Sequence, residues 1–293
     1  MISLDIVDAQ VHLNRIGPAW RVAELTTTLE LGIAAMDAAG VDALLIDERW
    51  GTDLLVDDRH FDVLPSGAQR YRYPFSELAY ARHPGRFAFL GRVHRHDPEL
   101  PDVMAELRNK PGCVGLRIEP MARNGELEPF KEGRYAEYFA AAQKCSLPVF
   151  VRLSGQTELL IPYLQRFPDL QIIMDHCGTE NPPPSSWDDR VTQFESVVGM
   201  ARFPNLAMKW SKAPTRISME AYPFADLNPL LRKAIDAFGP QRLMWASDAT
   251  ESKGRHSWAD AYFYLLHSQA IDATERQWLL GRSVRNILRW PVS

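Results

Sequence analysis

The chain has 293 residues, 46% of them hydrophobic, a net charge of −4 and three cysteines. That length and apolar content suffice for a sizeable core, built as two domains or as one α/β barrel. The mildly acidic balance disfavours a nucleic-acid or anionic-membrane partner, no run is long and apolar enough to span a bilayer, and an odd cysteine count without a C-x-x-C pair fits a reducing compartment.

The first apolar run, residues 4–12, is interrupted by Asp5 and Asp8 and follows no basic segment. No signal peptide is therefore expected, and the reading is a soluble, cytoplasmic protein. The run has strand character and ends in Gln10 and His12, which alternation sends to the same face. An H-x-H pair there would be a strong chelate signal; a neutral amide oxygen is a much poorer ligand than imidazole. Further strands are expected at Asp42–Asp47, Phe87–Val93, Cys113–Glu119, Pro148–Leu153, Gln171–His176, Leu206–Trp210 and Leu243–Asp248. Most are almost continuously apolar, as strands buried on both faces should be. Helical patterns separate them. Trp258, Ala261, Tyr262, Leu265 and Leu266 form one stripe, and Thr274 with Gln277 makes a capping box for a further C-terminal helix. Eight strands alternating with helices predict one (β/α)8 TIM barrel, a single domain over residues 1–293.

The connections are asymmetric. Helix-to-strand turns are tight, at Ala39-Gly40, Pro111-Gly112, Phe167–Asp169, Phe203–Asn205 and Phe238–Pro240, and Arg166–Leu170 is nearly repeated in Arg202–Leu206. Strand-to-helix connections are long, at Glu48–Tyr73, Cys177–Asp189, Ser211–Tyr222 and Ala249–Ser257, so function is expected on that face. The first of these carries Trp50, Arg59, His60, Arg70 and Arg72, which fit a lid, a solvated excursion or a subunit contact. His94 and His96, interleaved with Arg92 and Arg95, read as a rim pair without metal. Eight tryptophans hint at an interface or an aromatic-lined pocket, so a homo-oligomer is left open.

The carboxyl ends of the strands carry Gln10, His12, Glu48, Arg117, Glu119, Arg152, His176, Lys209, Ser211 and Asp248. Each is either a local cap or ion-pair partner at a barrel rim, or part of a site; so many ionisable groups in one mouth must pair or bind something. The segments Asp8–His12, Met36–Val41, Pro84–Phe87, Gly115–Arg117, Asp175–Gly178 and Ser247-Asp248, with Asn286–Leu288, resemble the amidohydrolase-related family of TIM-barrel hydrolases. Within it they are most similar to the branch of lactonases that includes 2-pyrone-4,6-dicarboxylate lactonase. Order and spacing agree over essentially the whole chain.

The resemblance implies roles residue by residue. The family's first-strand H-x-H aligns with Gln10 and His12, its sixth-strand histidine with His176, and its eighth-strand aspartate with Asp248. The fifth-strand position that holds a histidine in many metal-dependent members falls near Arg152. No cofactor is therefore expected, although His12, His176 and Asp248 leave room for a single divalent metal, zinc or manganese. The expected reaction is opening of a lactone bearing carboxylate or other anionic groups. Asp248 would act as general base, His12 and His176 would polarise the carbonyl, and Arg117 and Arg152, with Gln10, Ser211 and Trp50, would hold the substrate. Two other readings are a metal-dependent decarboxylase of an aromatic or unsaturated carboxylate, and a catalytically inert anion-binding barrel.

Overall fold

A computed structural model describes residues 4–13, 25–48, 61–251 and 256–290. It contains β1 (Val7–Val11), β2 (Ala43–Ile46), β3 (Phe61–Val63), β4 (Gln69–Tyr71), β5 (Phe87–Gly91), β6 (Cys113–Ile118), β7 (Val149–Val151), β8 (Ile172–Met174), β9 (Leu206–Ser211) and β10 (Leu243–Ala246). Eight of these, all but β3 and β4, pair side by side in parallel and in chain order, with helices in the connections. The ends of the sheet meet where the Asp248 N–H donates to the Gln10 carbonyl at 3.1 Å. The fold is the expected (β/α)8 barrel, and every expected strand lies in its place.

Two apolar layers hold it. Inside the ring, Val7, Ala9, Leu45, Leu90, Phe150, Ile173, Ala207 and Met244 fill the lumen. Outside it, alternate residues such as Leu44, Ile46, Phe87, Phe89 and Trp210 pack under the helices. Full burial of such side chains is worth about 1.5–3 kcal/mol each. The C-terminal helix, Ser283–Leu288, brings Val284, Leu288 and the following Trp290 against the lumen cluster. Arg285 ties this segment to Asp5 at 3.0 Å and lies 4.4 Å from the Trp290 ring centre. The approach requires Gly281, because a Cβ there would sit 2.0 Å from the Asp5 carbonyl oxygen.

Two local expectations are corrected. The long connection after β2 is not all loop: β3 and β4 form an antiparallel hairpin. Among the described cations of this connection, Arg72 pairs with Asp62 within the hairpin, and Arg70 ties the hairpin to Asp97 at 2.9 Å. Trp50, Arg59 and His60 lie outside the described residues. The capping box of the helix Ala273–Gln277 is Asp272 with Glu275, not Thr274 with Gln277, because Asp272 is the last residue with extended backbone. Of the tryptophans, Trp210, Trp245 and Trp290 are buried, and Trp210 and Trp245 line the cavity described below, as an aromatic-lined pocket would have it.

Candidate active site

A β-bulge decides what the first strand presents. Asp8 pairs with Leu44 and Val11 with Ile46, so β1 carries one residue more than β2 across this interval. Simple alternation would put Asp8 on the same face as Gln10 and His12; the extra residue breaks that phase. Asp8 turns instead to the β1–β10 seam. There it accepts from the backbone N–H groups of Gln10 at 3.1 Å and Ser247 at 2.9 Å, from Trp258 Nε1 at 2.7 Å, and from the Ser247 hydroxyl. Burial nevertheless pushes its carboxyl up to about 6.

Above the apolar lumen every barrel strand ends in an inward polar residue: Gln10, Asp47, Arg92, Arg117, Arg152, Asp175, Lys209 and Asp248. Most follow a lumen residue by two positions, as Asp47 follows Leu45 and Lys209 follows Ala207. Together they form an ion-pair ring. Arg92 reaches Asp47 at 2.8 Å and Glu119 at 3.1 Å. Arg117 donates to Asp175 at 2.8 Å, to Glu119 at 2.9 Å and to Asp47. Lys209 meets Asp175 at 2.5 Å and donates to Gln10 Oε1. Burial opposes the charged form of Asp47 and Asp175, but the neighbouring cations outweigh it and hold both carboxyls below their usual range. Unpaired, such charges would cost several kcal/mol each, so the ring is self-consistent only as a set.

Over the ring opens a cavity of about 500 Å³ lined by Gln10, His12, Arg117, Arg152, His176, Lys212, Arg216 and Asp248, among others. His12, His176, Asp248 and the two arginines expected to bind substrate are thus brought together. Three successive loops begin in left-handed backbone: His176 (φ 51°), Lys212 (φ 55°) and Asp248 (φ 50°). That conformation costs a non-glycine residue about 1–2 kcal/mol. It is tolerated here at the three residues that turn side chains into the cavity.

Asp248 sits at the centre. His12 Nε2 lies 3.4 Å from its Oδ1, His176 Nε2 3.8 Å from its Oδ2, and Lys212 Nζ 2.8 Å from Oδ2. Burial works to raise its carboxyl, but hydrogen bonding and the charge of the Lys212 ammonium prevail and hold it well below the usual range. Burial, reinforced by Arg216, Lys209, Arg117 and Lys212, depresses His176, which is therefore neutral near pH 7. Its Nδ1 lies 2.8 Å from the Ser211 hydroxyl. With that hydroxyl donating to Nδ1, the His176 Nε2–H faces the cavity and Asp248.

The expected substrate contacts divide. Arg117 is spent largely on Asp47, Glu119 and Asp175, and Ser211 acts on His176 rather than on the cavity. Gln10 is engaged by Lys209, and its Nε2 lies 3.4 Å from both His12 Nε2 and Asp248 Oδ1. Arg152 donates one bond to Glu119 at 3.1 Å, while its Nε is buried without a partner. Glu48 accepts from the N–H groups of Phe75 and Ser76 at 3.1 and 2.8 Å, so it caps a helix. The His94 and His96 rings lie 5.6 Å apart, outside the cavity lining. Two residues were missed, Lys212 and Arg216. Both follow Ser211 in the short run Lys212-Ala-Pro-Thr-Arg216, a cation pair opening a loop straight after a strand, which was the available signal. Arg216 is 5% exposed; among the described residues it forms no ion pair with a carboxylate and one hydrogen bond, to the Thr179 carbonyl at 3.3 Å. Burial, with Arg152 beside it, pulls its guanidinium down to about 10.

Similarity to known proteins agrees with this architecture. Over 166 residues the chain is 28% identical to the L-fucono-1,5-lactonase of Burkholderia ambifaria, a match that spans 55% of this chain and 54% of that protein, about half its length. An amidohydrolase from Burkholderia multivorans, solved with bound zinc, superposes with a TM-score of 0.74 at 18% identity, covering 98% of this chain and all of that one. A protein proposed as a 2-pyrone-4,6-dicarboxylic acid hydrolase from Pseudomonas putida gives 0.71 at 17% identity over the full length of both. At such identities these two structures speak to the fold alone. The family description "Amidohydrolase" matches residues 7–289, and the chain belongs to that family.

Proposed function

We propose that this protein hydrolyses a lactone carrying a carboxylate or other anionic group, without a resident metal. The observation that carries this reading is Arg216, a buried guanidinium that lines the cavity and has no carboxylate partner among the described residues. Leaving a guanidinium in that state is costly unless an incoming anion completes it. Arg152 lines the same cavity beside Arg216 and adds a second positive charge toward the same anion. The partial match to a lactonase supports the bond type.

In this reading Asp248 takes a proton from water as the water oxygen attacks the lactone carbonyl. The Lys212 ammonium and the His176 Nε2–H donate to the developing oxyanion. The ring C–O bond then breaks, and Asp248 returns the proton to the leaving oxygen. Held well below its usual range, Asp248 is a weak base at rest. As Lys212 turns to the substrate oxygen, the carboxylate regains basicity where it is needed. The residues do not fit a dication. Among the described residues no three His, Cys, Asp or Glu side chains are grouped to hold one. Lys212 lies against Asp248 and Lys209 against the Gln10 oxygen. At about 4 Å and an effective dielectric near 20, each ammonium would repel a dication by about 8 kcal/mol.

The test is acid release from a panel of paired lactones, with and without a carboxylate, before and after dialysis against chelator. Selective turnover of carboxylated members, unchanged by chelation, is expected. Turnover lost to chelation and restored by metal would refute the metal-free mechanism, and turnover of neutral lactones alone would refute the anionic substrate.

A further inference from the structure

We infer that the Lys209 side chain and the Gln10 amide together take the place of a metal ion, fixing His12 in the tautomer whose Nε2 accepts a proton. Lys209 is fully buried. Its Nζ lies 2.5 Å from Asp175, donates to the Gln10 side chain and sits 4.9 Å from the Phe150 ring centre. An ammonium only donates, so the Gln10 atom that meets it is the oxygen, and the amide NH2 must face the other way. There it lies 3.4 Å from His12 Nε2 and 3.4 Å from Asp248 Oδ1.

His12 is fixed from its far side as well. Its Nδ1 lies 2.8 Å from the backbone carbonyl of Asp47, which only accepts, so Nδ1 carries the hydrogen. In the neutral ring Nε2 then presents a lone pair, at 3.4 Å from a carboxylate oxygen that is also an acceptor. Two acceptors facing each other in a buried site need a donor between them. The two N–H groups of Gln10 supply it, one to each, as an ion bonded to both would. Asp175, itself held by Arg117 at 2.8 Å, anchors the ammonium that sets the amide. Gln10 and Lys209 are therefore positioning residues, and His12 enters chemistry as an acceptor, opposite in sense to the donor role the sequence suggests. This goes beyond the proposed reaction and does not depend on it.

Ring-nitrogen NMR of 15N-labelled protein at pH 8, with His12 identified by comparison with His12→Asn, tests the tautomer. Nδ1 is expected to be protonated and Nε2 bare. Gln10→Glu keeps the bond to Lys209 but replaces the NH2 by oxygen, so Nε2 is expected to become protonated. A protonated Nε2 in the native protein, or an unchanged ring in Gln10→Glu, overturns the inference. Zinc titration gives a second readout that needs no substrate. The double variant Gln10→His, Lys209→Met is expected to bind one zinc per chain about 100-fold more tightly than the native protein, and more tightly than Gln10→His alone. Equal zinc affinity in the native protein and the double variant, or in the single and double variants, also overturns it.

Discussion

Arg216 offers a prediction in which folding and function move in opposite directions. Arg216→Met keeps the length and apolar stem of the side chain and removes the charge. A guanidinium drawn from 12.5 down to about 10 carries a folding penalty of at most about 3 kcal/mol, at about 1.4 kcal/mol per tenfold change in proton affinity. The sign follows from the direction: the native state disfavours the charged form, so the penalty is fully present below about pH 10 and fades only as pH climbs toward the unfolded value. At neutral pH Arg216→Met should therefore be as stable as the native protein or up to about 3 kcal/mol more stable. For a carboxylated lactone the variant loses a hydrogen bond to a charged group, worth about 1.5–3 kcal/mol. That corresponds to roughly a 10- to 150-fold rise in KM, with neutral lactones unaffected. Urea denaturation gives the first quantity, and initial rates on the paired lactones give the second. A variant that is clearly less stable, with KM for the carboxylated lactone unchanged, would mean that Arg216 is a structural residue and does not await an anion.

Asp248→Asn should lower kcat by at least about 100-fold, with an unchanged circular dichroism spectrum, because asparagine accepts the left-handed backbone that Asp248 occupies (φ 50°). Retained turnover in that variant refutes the general-base role. Asp8 is an acid whose native carboxyl is raised to about 6 from 3.8, so its ionisation penalises the native state increasingly as pH rises from about 4 to about 6. Stability measured against pH in Asp8→Asn should lack that component, about 3 kcal/mol at most; parallel curves for the two proteins would contradict it. Gly281→Ala drives a Cβ to 2.0 Å from a backbone oxygen and should cost about 1–3 kcal/mol or more in urea denaturation. It should leave KM unchanged, since the contact lies at the lumen end opposite the cavity.

The barrel was legible because its signal is periodic and repeated. Eight apolar runs with tight turns on one side and long loops on the other have few solutions other than a closed parallel sheet, and each run could be short and still be counted. Local chemistry was less legible. The hairpin β3–β4 escaped because its strands have three residues each, too few for alternation to register. The capping box was displaced by two residues because two polar pairs with the same spacing competed, and only backbone conformation distinguishes them.

In the site, residue type and strand position were enough to collect His12, His176, Asp248 and Arg152 in one mouth. They could not say which polar groups consume one another. Arg117 and Arg152 look equivalent in sequence, each two residues beyond a buried position on neighbouring strands. Arg117 faces Asp175 at 2.8 Å and Glu119 at 2.9 Å, whereas Arg152 has one bond to Glu119 and a buried Nε left over. Which charge remains available is a property of pairing across the ring, as between Arg117 and Asp47, 70 apart in the chain. The same holds for Gln10. Read alone it is a ligand lost, but 199 residues later Lys209 reaches its oxygen and turns its NH2 toward His12 and Asp248. The substitution on the first strand and the cation on the seventh are intelligible only together. A site in which positive charge comes from fixed side chains meets anions differently from one in which it comes from an exchangeable ion. Under the proposed metal-free reading, the field of this site persists through dialysis, and its orientation is set by the barrel itself.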